Sequence, residues 1–507
     1  MFTLPDIPGR YNVGCTMFAA RLPSEVTIPS SKFRPENNLR RPPYTPPLVL
    51  KEIAFTAYYP ADVSSLGTRK CWQGHHRYLP WLPRPIKEVL RGYAHFGNVS
   101  FWFVYILCRA FVSHIKFPAH LNAPLLSPLE RKDDRGRPWP LVIFSHGLGG
   151  TRTSYSHFCS RLAAQGRVVL AIEHQDGTAP IVTPLSPVPG LEKEFQPEYR
   201  LYTKLEDVYW DNDTGDKYAF KAEQLLYRRL EVYLMHKFFK HLIESDETTL
   251  PIIPSCNEVH TVDGPWNFNL NNRPDDLAFW KSWHMDSQNP DRKVECNRDI
   301  SLTGHSFGGA TVLSILSEPP PTLYAAQFDP IPFNHALALD PWVDPLPSPG
   351  PSPWQVEESL RHSPTPPELL VINSEDFTFW DEHFDRLKQI VETWNQSDNV
   401  AKATLLTILR CKHISFSDVE LLLPFGRRKR AARKLIDIIF DLSDAFLDNR
   451  LEDALRYHQL RDDKTEWVRK PKKEKEGKRR LVGELGDIGF FICHFSHRFA
   501  GSFLGFR

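Results

Sequence analysis

One segment constrains the fold of this chain more than any other. Ile300-Ser301-Leu302-Thr303 runs directly into Gly304-His305-Ser306-Phe307-Gly308, and a stretch of helical character, TVLSILSE, follows from Thr311. A serine in a Gly-x-Ser-x-Gly pattern between a strand and a helix sits on a sharp, strained turn, and the small flanking residues prevent the backbone from clashing with side chains. The pattern predicts an α/β sheet with this serine at the carboxyl edge of a strand.

The surrounding sequence agrees with that prediction. Leu141-Val142-Ile143-Phe144 is a continuous apolar run of strand length followed by the turn Ser145-His146-Gly147-Leu148-Gly149-Gly150. A helical stretch at about 153–165 and a second apolar run, Val168 to Ile172, complete a βαβ unit. Further short runs at His335 to Leu339, Leu369 to Ile372 and Thr404 to Leu409 extend the series toward a doubly wound, mostly parallel sheet. Residues 180–292 read as a large insertion around one long helical candidate at 219–245. The expected organisation is one α/β domain over about 1–455 and a basic, partly disordered tail over 456–507.

Composition excludes some classes. Lys plus Arg number 62 against 61 Asp plus Glu, so the formal charge of +1 argues against a uniformly basic nucleic-acid binder. Eight cysteines without CxxC spacing, and a start MFTLPDIPGRYNVGC that lacks a charged segment before an apolar one, predict reduced thiols in the cytoplasm. Cys71 with His75 and His76, and Cys493 with His494 and His497, lack a second cluster at zinc spacing; HExxH and G-x-G-x-x-G are absent, so no metal or cofactor is expected. The apolar run Phe96 to Cys108 is too short to span a bilayer. Residues 78–93 mix Trp81, Leu82, Ile86, Val89 and Leu90 with Arg84, Lys87 and Arg91, which suits either a membrane-surface element or a helix packed on the core. The basic stretch from Arg427 to Lys434 suits anionic lipid or a solvated turn.

A serine hydroxyl needs a histidine base oriented by a carboxylate, in the chain order Ser, acid, His for this fold. His413 follows the last apolar run (ATLLTILRCKH) and so lies at the same sheet edge as Ser306. For the acid, spacing leaves Asp340, which ends HALALD, beside Glu375 and Asp376, which follow LLVINS; an acid placed after the strand just before the histidine strand, as in many hydrolases of this architecture, favours Asp376, and topology alone does not choose between them. A tetrahedral intermediate needs amide donors: Phe307, after the nucleophile, supplies one, and Leu148 in the glycine-rich loop is the candidate for the second.

With these residues in place, the chain resembles the platelet-activating factor acetylhydrolase family, the plasma and intracellular type II α/β-hydrolases, and most of all its fungal members. The matching segments run in collinear order: Tyr11 to Thr16, YYPADV (58–63), PLVIFSHGLGGTRTSYS (140–156), AIEHQDGTA (171–179), LTGHSFGGATVLSILSE (302–318), ALALDPWVDPL (336–346), LLVINSEDF (369–377) and KHISFSD (412–418). The resemblance implies an α/β-hydrolase fold with Ser306 as nucleophile, Asp340 as acid, His413 as base, and the amides of Leu148 and Phe307 as oxyanion donors. It implies a metal-independent serine esterase that removes short (acetyl) or oxidised sn-2 acyl groups from phospholipids at a peripheral membrane surface. It also implies that the segment at about 78–117 carries lipid-facing helices. Departures from the family pattern are Pro341 after the acid, Gln175 where an arginine is usual, the large insertion and the basic tail. A carboxylesterase or lipase acting on neutral esters, and an inactive membrane-associated interaction protein, are the competing readings.

Overall fold

In a computed structural model, the structure describes residues 3–28, 30–37, 39, 41–64, 78–132, 135–182, 199–212, 215–244, 260–262, 277–284, 292–348, 351–354, 366–396, 402–422, 426–462, 464–468 and 478–492. The chain divides into two units, the first formed by residues 1–300, 320–332 and 417–426, the second by 301–319, 333–416 and 427–507.

Two long antiparallel strands open the first unit, β1 (Val13–Thr27) and β2 (Val49–Pro60). Their paired residues are buried almost throughout, as a strand covered on both faces requires. Leu141–Ser145 forms β3 and Val168–Ile172 forms β4; they run parallel, and β4 lies antiparallel beside β2. A further strand, β5 (His260–Val262), pairs with β1 from within the segment read as an insertion. That segment therefore contributes to the sheet, a pairing that three residues of sequence do not announce.

Three helices matter to the first unit. The helix joining β3 to β4, α3 (Ser156–Ala164), is buried along its whole length and packs on β2 and β4. Before it in the chain come α1 (Ile86–Phe96), largely within the segment 78–93 that suited either a membrane surface or the core, and α2 (Phe101–Ala110), within the segment 78–117 for which the resemblance implied lipid-facing helices. Trp81, Leu82, Val89 and Leu90 are buried, whereas α2 buries no residue at all. Ala219–Glu244 forms α4, a helix packed on β2 whose buried side includes Arg228 and Glu231 among apolar residues.

The second unit is built on β6 (Ile300–His305), β7 (Phe333–Leu339), β8 (Glu368–Ser374) and β9 (Ala403–Ile408), each fully or mostly buried. β7, β8 and β9 are parallel. The turn after β6 enters α5 (Phe307–Ser317), which packs on β7. Phe384, Leu387, Ile390, Val391 and Trp394 recur at helical spacing on α6 (Asp381–Gln396), which covers β9. Arg427–Leu447 forms α7, which buries Leu435, Ile436, Ile439 and Leu442 behind an exposed basic first turn.

Residues 456–507, expected as a partly disordered tail, hold structure in their described part. Leu460–Arg461 forms β10, Thr465–Val468 pairs with Lys478–Leu481 as a hairpin, and β11 (Ile488–Ile492) adds antiparallel to β9. The reason lies in IGFFI, an apolar run that covers the edge of β9.

Candidate active site

Close approach dictates the glycines around Ser306. A Cβ on Gly304 would stand 2.2 Å from the Gly308 carbonyl oxygen, and one on Gly309 would stand 2.8 Å from Pro341 Cβ. Pro341, a departure from the family pattern, thus lies against the turn. Ser306 takes φ 58° and ψ −118°, a region costly for a residue with a Cβ and kept only where the surroundings over-determine it. Here the Ser306 N–H donates to the Leu339 carbonyl at 2.9 Å, and the Ser306 carbonyl accepts from the Trp342 N–H at 3.0 Å.

The second unit brings together Ser306, Asp340 and His413. His413 Nε2 lies 2.8 Å from Ser306 Oγ, and its Nδ1 lies 2.6 Å from Asp340 Oδ2. Asp340 directly follows β7 and is wholly buried. Its Oδ1 accepts from the Ser374 N–H at 2.6 Å and, with the Asn373 amide oriented by its partners, from the Asn373 nitrogen at 2.8 Å. The carboxylate that follows β7 is therefore held by the end of β8. Asp376 is exposed on the short helix Glu375–Thr378, and Glu375 is engaged by Arg410 and the Leu481 N–H.

Two rings fix the histidine. Phe377 stacks on His413 at 4.3 Å between centroids and 8° between planes. His305, the residue before Ser306, donates from Nε2 to the His413 carbonyl at 3.0 Å and stacks on Phe416. Burial, with the neighbouring His413 adding to it, pushes His305 well below the usual imidazole range, so its ring is neutral. Neither role was legible beforehand: His305 carried no signal beyond its place in the motif, and Phe377 none.

Phe307 is the first residue of α5, and its amide belongs to the first turn, where N–H groups have no intrahelical acceptor. Leu148 lies in the first unit, in a loop tied at both ends. The Gly149 N–H donates to the Thr178 carbonyl at 3.0 Å, and the Gly150 N–H to the Gly147 carbonyl at 3.1 Å. Among the described residues Leu148 makes no hydrogen bond.

Asp418 was not singled out in the sequence. It accepts from Trp81 Nε1 at 3.0 Å and from Ser156 Oγ at 2.7 Å, and so ties the segment before α1 to the start of α3. Burial pushes its carboxyl up to about 7 against the pull of these hydrogen bonds.

Among the described residues, the group of metal-ligating side chains that lies close together is His305, Asp340 and His413, within 4.8 Å of one another. These are side chains of the hydrogen-bonded assembly itself. The clusters at Cys71 and Cys493 lie outside the described residues. No helix among the described residues is long and apolar enough to cross a membrane.

A serine on a strand-turn-helix, bonded to an imidazole that is bonded in turn to a buried carboxylate, can lose its proton while attacking an acyl carbonyl. Fold and site together define the class: an α/β-hydrolase of the serine-esterase kind. The family described as "Platelet-activating factor acetylhydrolase, isoform II" matches residues 50–262 and 282–467. The chain belongs to this family. It is 28% identical over 380 residues to "Platelet-activating factor acetylhydrolase" of Gallus gallus, covering 73% of this chain and 74% of that protein. It is 25% identical over 398 residues to "Putative phospholipase A2" of Schizosaccharomyces pombe, covering 74% and 77%. A vertebrate relative is thus matched at somewhat higher identity than a fungal one, and the expected special likeness to fungal members is not upheld. Among solved structures, "Ferulic acid esterase from Streptomyces cinnamoneus at 2.4 A resolution" aligns with 89% of this chain and 94% of its own at 15% identity, with a TM-score of 0.46.

Proposed function

We propose that this chain is a serine esterase that hydrolyses the sn-2 acetyl, short-chain or oxidised acyl ester of phospholipids such as 1-alkyl-2-acetyl-glycerophosphocholine. The observation that carries the proposal is the hydrogen-bonded series Ser306, His413, Asp340 on the strained turn after β6. Ser306 Oγ attacks the acyl carbonyl as His413 Nε2 takes its proton, and Asp340 holds the imidazole and stabilises the imidazolium. The oxyanion is met by the amide of Phe307, the residue after the nucleophile. The tetrahedral intermediate collapses, His413 returns the proton to the lyso-lipid alkoxide, and the acyl group stays on Ser306. Water, deprotonated by His413, then releases the acid.

The phospholipid reading draws on family membership and on two relatives named as an acetylhydrolase and a phospholipase. It also draws on α2. Trp102, Phe103, Ile106 and Leu107 are 65%, 66%, 70% and 53% exposed, a bare apolar helix suited to lying in a lipid interface. In this reading α2 contacts a membrane surface peripherally while the substrate is drawn from it.

The test is release of acetate from a 2-acetyl ether phosphocholine lipid with EDTA present, for wild type and Ser306→Ala, with long-chain phosphatidylcholine as competitor. Hydrolysis by wild type alone, with little long-chain turnover, supports the proposal. A folded wild type whose serine labels with a fluorophosphonate, but which releases no acetate, would keep the serine chemistry and move the substrate to neutral esters.

A further inference from the structure

In the proposed mechanism His413 passes through a cation. When its Nε2 takes the Ser306 proton, and again when it takes one from water, the ring carries a positive charge for the life of the tetrahedral species. Asp340 meets that charge in the plane of the ring, at Nδ1, at 2.6 Å. A hydrogen bond acts only in that plane, and the face of the ring is left to stacking. There the neighbour is Phe377, with the two rings 4.3 Å apart between centroids and 8° from parallel. An aromatic face carries negative potential, so it attracts a cation lying over it within about 6 Å more strongly than it attracts a neutral ring.

The Phe377 ring is held by contacts other than His413. It belongs to the short helix Glu375–Thr378 after β8, where the Ser374 hydroxyl accepts the Phe377 N–H at 3.1 Å. The Glu375 carboxylate of the same turn accepts from Arg410 Nη1 at 2.9 Å and from the Leu481 N–H at 2.8 Å. The ring itself meets Trp380 at 5.7 Å and 88°, and His383 at 5.0 Å and 72°, both edge to face. His383 stacks on Trp380 at 4.7 Å, and its Nε2 accepts the Val343 N–H at 3.1 Å, which ties the cluster to the segment that follows Asp340. His305 also stands 4.6 Å from His413, but its ring is neutral and places no second cation beside the first. All of these residues belong to the second unit.

We propose that Phe377 is a positioning residue for ester hydrolysis with an electrostatic share: its face, fixed before reaction, stabilises the His413 imidazolium more than the neutral imidazole, and so lowers the barriers of acylation and deacylation. The inference rests on the reading of His413 as the base. The physical case is one of difference. Packing against a neutral imidazole is a contact that a leucine also makes, and it favours ground state and transition state alike; only a contact that strengthens as charge appears raises kcat. A ring already in place needs no rearrangement when the proton arrives. The His413 side chain is 35% exposed, so water shares the charge and the effect belongs to the modest part of the cation–π range.

The experiment replaces Phe377 with 4-fluoro-, 3,5-difluoro- and 3,4,5-trifluorophenylalanine, which keep the shape of the ring and progressively cancel the negative potential of its face, and, separately, with leucine (Phe377→Leu). Each protein is measured for kcat and KM on p-nitrophenyl acetate and for thermal stability. The expected result is a stepwise fall of log kcat with fluorine number, reaching about 3- to 10-fold at the trifluoro ring and in Phe377→Leu, with KM within about twofold and melting unchanged across the fluorinated series. A trifluoro protein with wild-type kcat overturns the proposal, and so does a loss confined to Phe377→Leu, which would make the ring a matter of shape. A rise in KM alone overturns it as well. Should Phe377→Leu not fold, the fluorinated series decides by itself. A wild type that neither hydrolyses the ester nor labels at Ser306 with a fluorophosphonate overturns the serine-esterase reading itself, whereas an active wild type beside a fluorine-independent kcat overturns only the role of Phe377.

Discussion

At the residue scale, the arrangement around Ser306 predicts losses that do not add. In the proposed mechanism Ser306 and His413 act as one unit, so Ser306→Ala, His413→Ala and the double variant should each lose about 10⁴-fold or more in turnover and differ little from one another. Single-turnover kinetics on a chromogenic ester would check this, and multiplicative losses would refute it. Asp340 accepts three hydrogen bonds in full burial, whereas Asp376 is exposed. Asp340→Asn should therefore cost on the order of 10⁴ in kcat and Asp376→Asn less than about tenfold; the reverse order would move the acid to the second position. Asp418 gives a prediction about pH. An acid whose pKa is raised by burial binds its proton more tightly when folded, so its stabilising contribution is complete below the unfolded value and lost as pH rises toward its folded value of about 7. Denaturant titrations of wild type and Asp418→Asn should show wild type losing on the order of 4 kcal/mol relative to the variant between about pH 4 and pH 7.5. A gap that does not change with pH would contradict the raised pKa.

At the element scale, helices and strands differ in how far their sequences reveal them. The period of apolar residues marks β3, α3, β4, α4 and β6 through β9 within three residues at each end, because each buries a contiguous set of its own side chains. Pairing is another matter. β1 and β2 run antiparallel through 12 to 15 residues, yet only fragments of them stood out, since their partner is settled by contacts 22 to 47 positions away. The bare face of α2 carries its own test. Trp102→Asp and Ile106→Asp should reduce co-sedimentation with phosphatidylcholine vesicles by about tenfold while leaving stability within about 0.5 kcal/mol, because neither side chain is buried. Unchanged sedimentation would count against the lipid-facing reading.

At the scale of the whole molecule, the last segment belongs to the fold of its unit. Removing residues 456–507 would strip β11 from β9 and leave the β9 edge open. The truncated chain should lose solubility or cooperative thermal unfolding, and a truncated protein that melts like wild type would show the strand to be dispensable. The sequence by itself determined the α/β class, the strained serine turn and His413 as a candidate base, because these depend on local spacing: a strand, a Gly-flanked turn, a helix. The burial and hydrogen bonding of Asp340, which spacing left beside Asp376 and the resemblance implied as the acid, and the rings that clamp His413 are visible only in three dimensions. Both aspartates follow apolar strands that lie side by side, so spacing alone does not distinguish them, whereas burial and hydrogen bonding do. A buried charge on a helix, such as Arg228 among the many charged residues of α4, has no address until the groups it bonds are folded around it.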